Sequence, residues 1–196
     1  LLALTALVFA FARPYLPGAG GEQAAGERAI SIYVDDSWSM DGTNADGRLL
    51  DLARGHAQEV VMAHAATDRF QVLTNRFAGK QQLLGGRDEA LLAASQVEVG
   101  PFARPVSQVL QRQREALAQG TSPTKRAFLF TDLQRSTTDP EHWTDDTTVS
   151  TVIVPIPARN VPNLSIDSAW FATPMRRTGQ AEALRVRVRN HGEQAL

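Results

Sequence analysis

The hydrophobic and polar positions of the chain fall into three successive regimes. In the first, Leu1 to Ala12 (LLALTALVFAFA) is apolar on every side, with one hydroxyl and no charge. A membrane span needs about 20 apolar residues, so this run suits the end of a span. Arg13 and Tyr15 then suit the interface, and Pro14 and Pro17 stop the helix. A signal peptide would carry a small-residue cleavage site here in place of Arg-Pro, and a core helix would show a polar face. Residues 1–16 are expected to end a transmembrane helix, and the glycine-rich residues 17–28 to form a linker.

In the second regime, short apolar runs alternate with helical stripes. Ala29 to Val34 (AISIYV) reads as a buried parallel strand, followed by a polar loop from Asp35 to Gly47. Arg48 to Ala66 predicts a helix, with Leu49, Ala53, Val60 and His64 on one stripe and Asp46 as N-cap. Phe70 to Leu73 predicts a second strand, Phe77 to Leu84 a short strand or hairpin, Asp88 to Ala94 a short helix, and Val97 to Val99 an extended piece. Pro105 to Ala118 predicts a helix that buries Val106, Val109, Leu110, Gln113 and Leu117 and is closed by Gly120. Ala127 to Thr131 and Val149 to Ile156 predict further strands, with a short helix at 139–144 between them. Alternation of this kind implies an α/β fold over residues 29–157, a mainly parallel sheet with helices on both faces. Such sheets bind ligands at the carboxyl ends of their strands.

The third regime starts after Pro157. Asn163 to Phe171 alternates partly and Ala183 to Arg189 strictly, with Leu184, Val186 and Val188 facing one way and Arg185, Arg187 and Arg189 the other. This predicts a half-buried antiparallel strand, closed by a turn at Asn190-His191-Gly192, at the start of a truncated β-sandwich-like domain over residues 163–196. The three arginines read as a solvated face.

Composition narrows the classes. The net charge of −1 argues against a nucleic-acid binder, and the absence of cysteine removes disulfides and thiolate metal sites. His56 and His64 lie eight apart on one expected helix with no third ligand for zinc, and His142 and His191 read as surface residues. Gly85-Gly86 and Gly18 to Gly21 lack the strand-to-helix setting of a phosphate loop.

The polar clusters follow strands. Asp35-Asp36-Ser37-Trp38-Ser39-Met40 comes after the first, and Asp132 after the strand ending at Thr131. A carboxylate and two hydroxyls at alternate positions of a tight loop offer hard oxygen ligands to Mg²⁺, with Ca²⁺ or Mn²⁺ as alternatives, and Asp132 joins them through water. The structural reading beside it is that Ser37 and Ser39 only shape the loop. Trp38 is either a partner anchor or a lid over the loop.

Asp35-x-Ser37-x-Ser39-Met40 after an apolar strand resembles the metal-ion-dependent adhesion site (MIDAS) of von Willebrand factor A (VWA) domains. Asp132, in Phe130-Thr131-Asp132-Leu133-Gln134, resembles the later aspartate of that site. The Leu4 to Leu16 segment with its Ala-Arg-Pro end is similar to the second membrane helix of bacterial aerotolerance-type (Bat-like) proteins, and Asn163 to Asp167 to the β-rich region beyond their A domain. The resemblance implies a VWA, Rossmann-like fold and a metal set of Asp35, Ser37, Ser39 and Asp132. It further implies a non-enzymatic protein-binding role at the inner membrane of the cell envelope, with the domain on the periplasmic side. Implied partners are proteins, such as a MoxR-type AAA ATPase system or other VWA proteins. One position departs from the pattern: Arg104 stands near the family's usual threonine, where it either repels a cation or pairs with Asp132, and it joins Trp38 as a partner-contact candidate.

The competing class is a Mg²⁺-dependent phospho-acceptor of receiver type, or a hydrolase. Asp35-Asp36 suits a receiver, yet no further aspartate at a third strand end and no late lysine follow; Val154 to Pro157 holds none. A dehalogenase-type hydrolase would need an aspartate where Ser37 stands, and a serine nucleophile a histidine base that no spacing supplies.

Overall fold

The computed structural model of the chain describes residues 27–144, 146–158, 164–172, 179 and 181–190. The expected membrane segment, most of the linker, Asn163, His191 and Gly192 lie outside the described residues. Among the described residues no helix is long and apolar enough to cross a membrane.

Four strands form one parallel sheet: β1 (Ala29–Val34), β2 (Arg69–Leu73), β3 (Lys125–Thr131) and β4 (Ser150–Pro155), in the order β2-β1-β3-β4. β1 is central and buried throughout, because both its faces are covered. Its even positions, Ile30, Ile32 and Val34, face α1 (Leu49–Met62) and α2 (Arg87–Ser95) in one core that also holds Phe70 and Phe130. Its odd position Tyr33 joins Leu73, Leu129 and the residues Val106, Val109 and Leu110 of α3 (Val106–Gln119) on the other face. The α/β architecture with helices on both faces is thus present, and it is compatible with a Rossmann-like fold.

Local differences from the sequence expectation have physical causes. Arg48, not Asp46, occupies the N-cap of α1, because Asn44 Oδ1 draws the N–H groups of Asp46 and Gly47 into a turn closed by Gly47 at φ 137°. α1 ends at Met62, before His64, because the Asp68 carboxylate takes the Ala65 N–H at 2.9 Å and the Arg28 N–H at 2.9 Å and pulls the chain into a turn. The buried stripe is accordingly Leu49, Leu50, Ala53, Ala57 and Val61. Residues 77–84 form no strand: a short 3-10 turn spans Gly79–Gln82, and only Gly85 bridges to Phe70. Val97 to Val99 joins no ladder, and residues Pro140–His142 form a 3-10 turn.

β5 (Leu164–Phe171) and β6 (Leu184–Asn190) form a separate antiparallel pair. The expected alternation holds: Ile166 faces Val188 and Phe171 faces Leu184 on one side, while Ser165 faces Arg189 and Trp170 faces Arg185 on the other. The expected half-burial does not, since Leu184, Val186 and Val188 are 56%, 45% and 55% exposed. Nothing among the described residues covers them. Asp167, in a bulge, pairs with Arg187 at 3.7 Å and Arg189 at 3.6 Å, and Arg187 lies over the Trp170 ring.

Candidate functional site

The strand order sends neighbouring strand-end loops to opposite faces of the sheet. From β1 the chain turns to α1 on one face, whereas from β3 it turns toward the Pro140–His142 segment, whose neighbour Trp143 packs on the other. The loops after these adjacent strands diverge, as at the switch point of an open α/β sheet. Asp35, Ser37 and Ser39 follow β1, and Asp132 follows β3. The register sets Val34 beside Phe130, and the Asp35 N–H donates to the Phe130 carbonyl at 2.9 Å, so both clusters stand at one edge.

Asp35 is 5% exposed. Its Oδ1 accepts the Ser37 N–H at 3.0 Å and the Asn75 side-chain N–H at 2.9 Å, and its Oδ2 accepts the Thr131 hydroxyl at 2.7 Å. Three donors thus satisfy this buried carboxylate, as a buried polar group requires. The neighbouring Asp36, also buried, points toward β2. It accepts the Asn75 backbone N–H at 2.8 Å, and its Oδ2 lies 4.0 Å from Arg76 Nε. Burial raises the Asp36 carboxyl above its ordinary value, opposed by hydrogen bonds from Asn75 and Thr74 and reinforced by the Asp35 charge.

Ser37 occupies the N-cap of the 3-10 turn Trp38–Asp41, but its side chain makes no capping bond. Its hydroxyl instead lies 3.1 Å from the Ser39 hydroxyl. That spacing is a hydrogen-bond distance, and it is compatible with two adjacent oxygen ligands of either Mg²⁺ or Ca²⁺. On the opposite loop, Asp132 Oδ2 accepts Gln134 Nε2 at 2.7 Å, while its Oδ1 is buried with no partner. Leu133, next to it, has a left-handed φ of 52°. Such strain in a branched residue costs about 1–3 kcal/mol and gathers at functional loops. Among the described residues no three His, Asp or Glu side chains form a cluster that could hold a metal ion.

Asn75 was not singled out by sequence, and it commits every polar group it has. Besides its two bonds to Asp36 and Asp35, its Oδ1 accepts the Tyr33 hydroxyl at 2.9 Å and its carbonyl accepts Arg104 Nε at 3.2 Å. Burial, then the charges of Asp35 and Asp36, raise the Tyr33 hydroxyl well above its ordinary value, so it stays a donor. The available signal was position: Thr74-Asn75 is a polar pair directly after a buried strand, like Asp35 and Asp132. Arg104 is held by Asn75 and by the Phe77 ring, 5.1 Å from its guanidinium carbon, not by Asp132.

Trp38 stands out at 69% exposure rather than covering the loop, and Phe102 is 48% exposed. The Gly100 N–H bonds to the Asp36 carbonyl at 2.7 Å, tying the segment before Phe102 to the loop that carries Trp38. Ser107, three residues after Arg104, is turned away: its hydroxyl donates to Asp139 at 2.5 Å. His56 stacks on Phe130 and its ring nitrogen meets Glu59, while His64 meets the Val60 carbonyl.

No family model matches the sequence, and no curated protein matches it. Among solved structures the chain is similar to the PilB minor pilin from Streptococcus sanguinis, at 15% identity and a TM-score of 0.45. That similarity covers 56% of this chain and 30% of the pilin.

Proposed function

We propose that this chain is a membrane-anchored, non-catalytic binding module of VWA type. It holds a protein partner at the carboxyl edge of its sheet, through a Mg²⁺-centred adhesion-type site built from Asp35, Ser37, Ser39 and Asp132. The observation that carries the reading is the serine pair. The two hydroxyls stand 3.1 Å apart, Ser37 makes no capping bond, and at the same sheet edge Asp132 keeps one buried carboxylate oxygen without a partner. A hard cation would use these oxygens together, and a carboxylate from a partner would complete its shell. The exposed Trp38 supplies an aromatic contact at the rim. The cell-envelope setting, the Bat-like relationship and a partner such as a MoxR-type ATPase system follow from the motif and the apolar Leu1 to Ala12 run, and belong to the same proposal.

The test is Mg²⁺ titration by calorimetry into the wild-type chain, Ser37→Ala and Asp132→Ala. Saturable binding weakened at least tenfold in both variants is the expected result. Equal heats in all three chains would remove the cation from the proposal. Acyl-phosphate labelling of Asp35 or Asp36 would replace it with the phospho-acceptor reading.

A further inference from the structure

We infer that Arg104 is a fixed anchor for a partner carboxylate and engages it without a metal ion. The inference rests on the strand-end loops being a partner-binding surface, and it names the chemistry that surface recognises. The Arg104 guanidinium is partly buried and held from two sides. Its Nε donates to the Asn75 carbonyl at 3.2 Å, and the Phe77 ring lies 5.1 Å from its central carbon. Arg112 shares that ring at 5.7 Å but is committed to Glu115 at 2.9 Å. Among the described residues no carboxylate stands within ion-pair distance of Arg104.

A planar guanidinium with Nε occupied keeps its Nη donors, which match the two oxygens of a carboxylate. Because ring and carbonyl already fix its orientation, little side-chain freedom is lost on binding. The clamp is itself built under strain: Phe77, a bulky non-glycine residue, adopts a left-handed φ of 49° in the turn that presents Asn75. The anchor also shares one hydrogen-bond chain with the serine loop, running from Arg104 through Asn75 and Asp35 to the Ser37 N–H. Asp35, Asp36 and Asp132 stand at the same edge, so a singly charged carboxylate is the better fit than a doubly charged phosphate.

The experiment follows the Arg104 Nε–Hε resonance of the ¹⁵N-labelled whole chain during titration with acetate in EDTA. Sodium chloride and phosphate at equal ionic strength serve as controls. A saturable shift with acetate that chloride does not reproduce is expected, accompanied by shifts at the Asn75 and Ser37 amides. Those accompanying shifts disappear in Arg104→Gln and weaken in Arg104→Lys, which keeps the charge but not the fork. A response equal to chloride, larger with phosphate, or present only with Mg²⁺ overturns the anchor. The last of these leaves the metal-site reading standing. An acetate response in a chain that takes up no Mg²⁺ supports the anchor and removes the cation.

Discussion

The side-chain amide of Asn75 donates to the Asp35 carboxylate at 2.9 Å, joining the loop after β2 to the loop after β1. Residues 40 apart in sequence thereby form one polar unit with no solvent between them, since Asn75 is 1% exposed.

Asn75→Asp tests that unit. The substitution keeps shape but replaces the donor facing Asp35 with an acceptor carrying charge. An uncompensated buried charge of this kind costs about 3–5 kcal/mol, whereas Asn75→Ala, which takes one donor from Asp35 and leaves the Tyr33 hydroxyl without its acceptor, costs about 1–3 kcal/mol. Urea denaturation is expected to rank the variants in that order. Equal midpoints would mean that solvent already reaches Asp35.

Ser39→Ala separates binding from folding. Ser39 is partly exposed and its hydroxyl bonds only to Ser37, so stability should change by less than about 1 kcal/mol. Protection against thermal unfolding by millimolar Mg²⁺ should fall sharply in the same variant. Scanning calorimetry with and without the ion reads both quantities.

Asp36 controls a pH dependence. Its carboxyl is raised by burial above the ordinary 3.8, so the folded state favours the protonated form. Its contribution to stability is fully present below 3.8 and is lost as pH rises through the raised value. Asp36→Asn removes this dependence. The difference in unfolding free energy should move in favour of the variant as pH climbs from below 3.8, then level off. A constant difference across that window would show Asp36 to be solvated in the folded chain.

Asp139 caps α3 from a distant loop, accepting the Ser107 N–H at 3.0 Å and the Trp143 ring N–H at 3.3 Å. Burial opposes its ionisation, yet the bonds from Ser107 and Trp143 outweigh that and lower its carboxyl below 3.8. Its stabilisation is thus present above 3.8 and lost as pH falls through the lowered value. Asp139→Ala should cost about 1–2 kcal/mol at neutral pH, as loss of an N-cap does, with the gap narrowing in acid.

The parts of the fold that were legible are those set by local pattern. AISIYV and AFLFT read as buried strands because both sheet faces are covered, and the stripe from Val106 to Leu117 read as a helix because only one face is. The Asp35, Ser37 and Ser39 cluster was legible because it is contiguous. Asn75 was not, because its role exists only once β2 lies beside β1 in register, Tyr33 opposite Leu73. The end of α1 was missed for a similar reason: Asp68 draws in Arg28, and no helical period reports a contact 40 residues away. Arg104 was expected either to repel a cation or to pair with Asp132; the pairing is absent because a carbonyl and an aromatic ring hold the guanidinium instead.

With all four of its polar groups in use, Asn75 fastens two of the three strand-end loops into a single stiff jaw. The third loop is tied more lightly: Asp132 leans on its own neighbour Gln134, and Leu133 sits in an unfavourable backbone well. Whatever docks at this edge will therefore meet a fixed side and a yielding one, joined where the Thr131 hydroxyl reaches the Asp35 carboxylate.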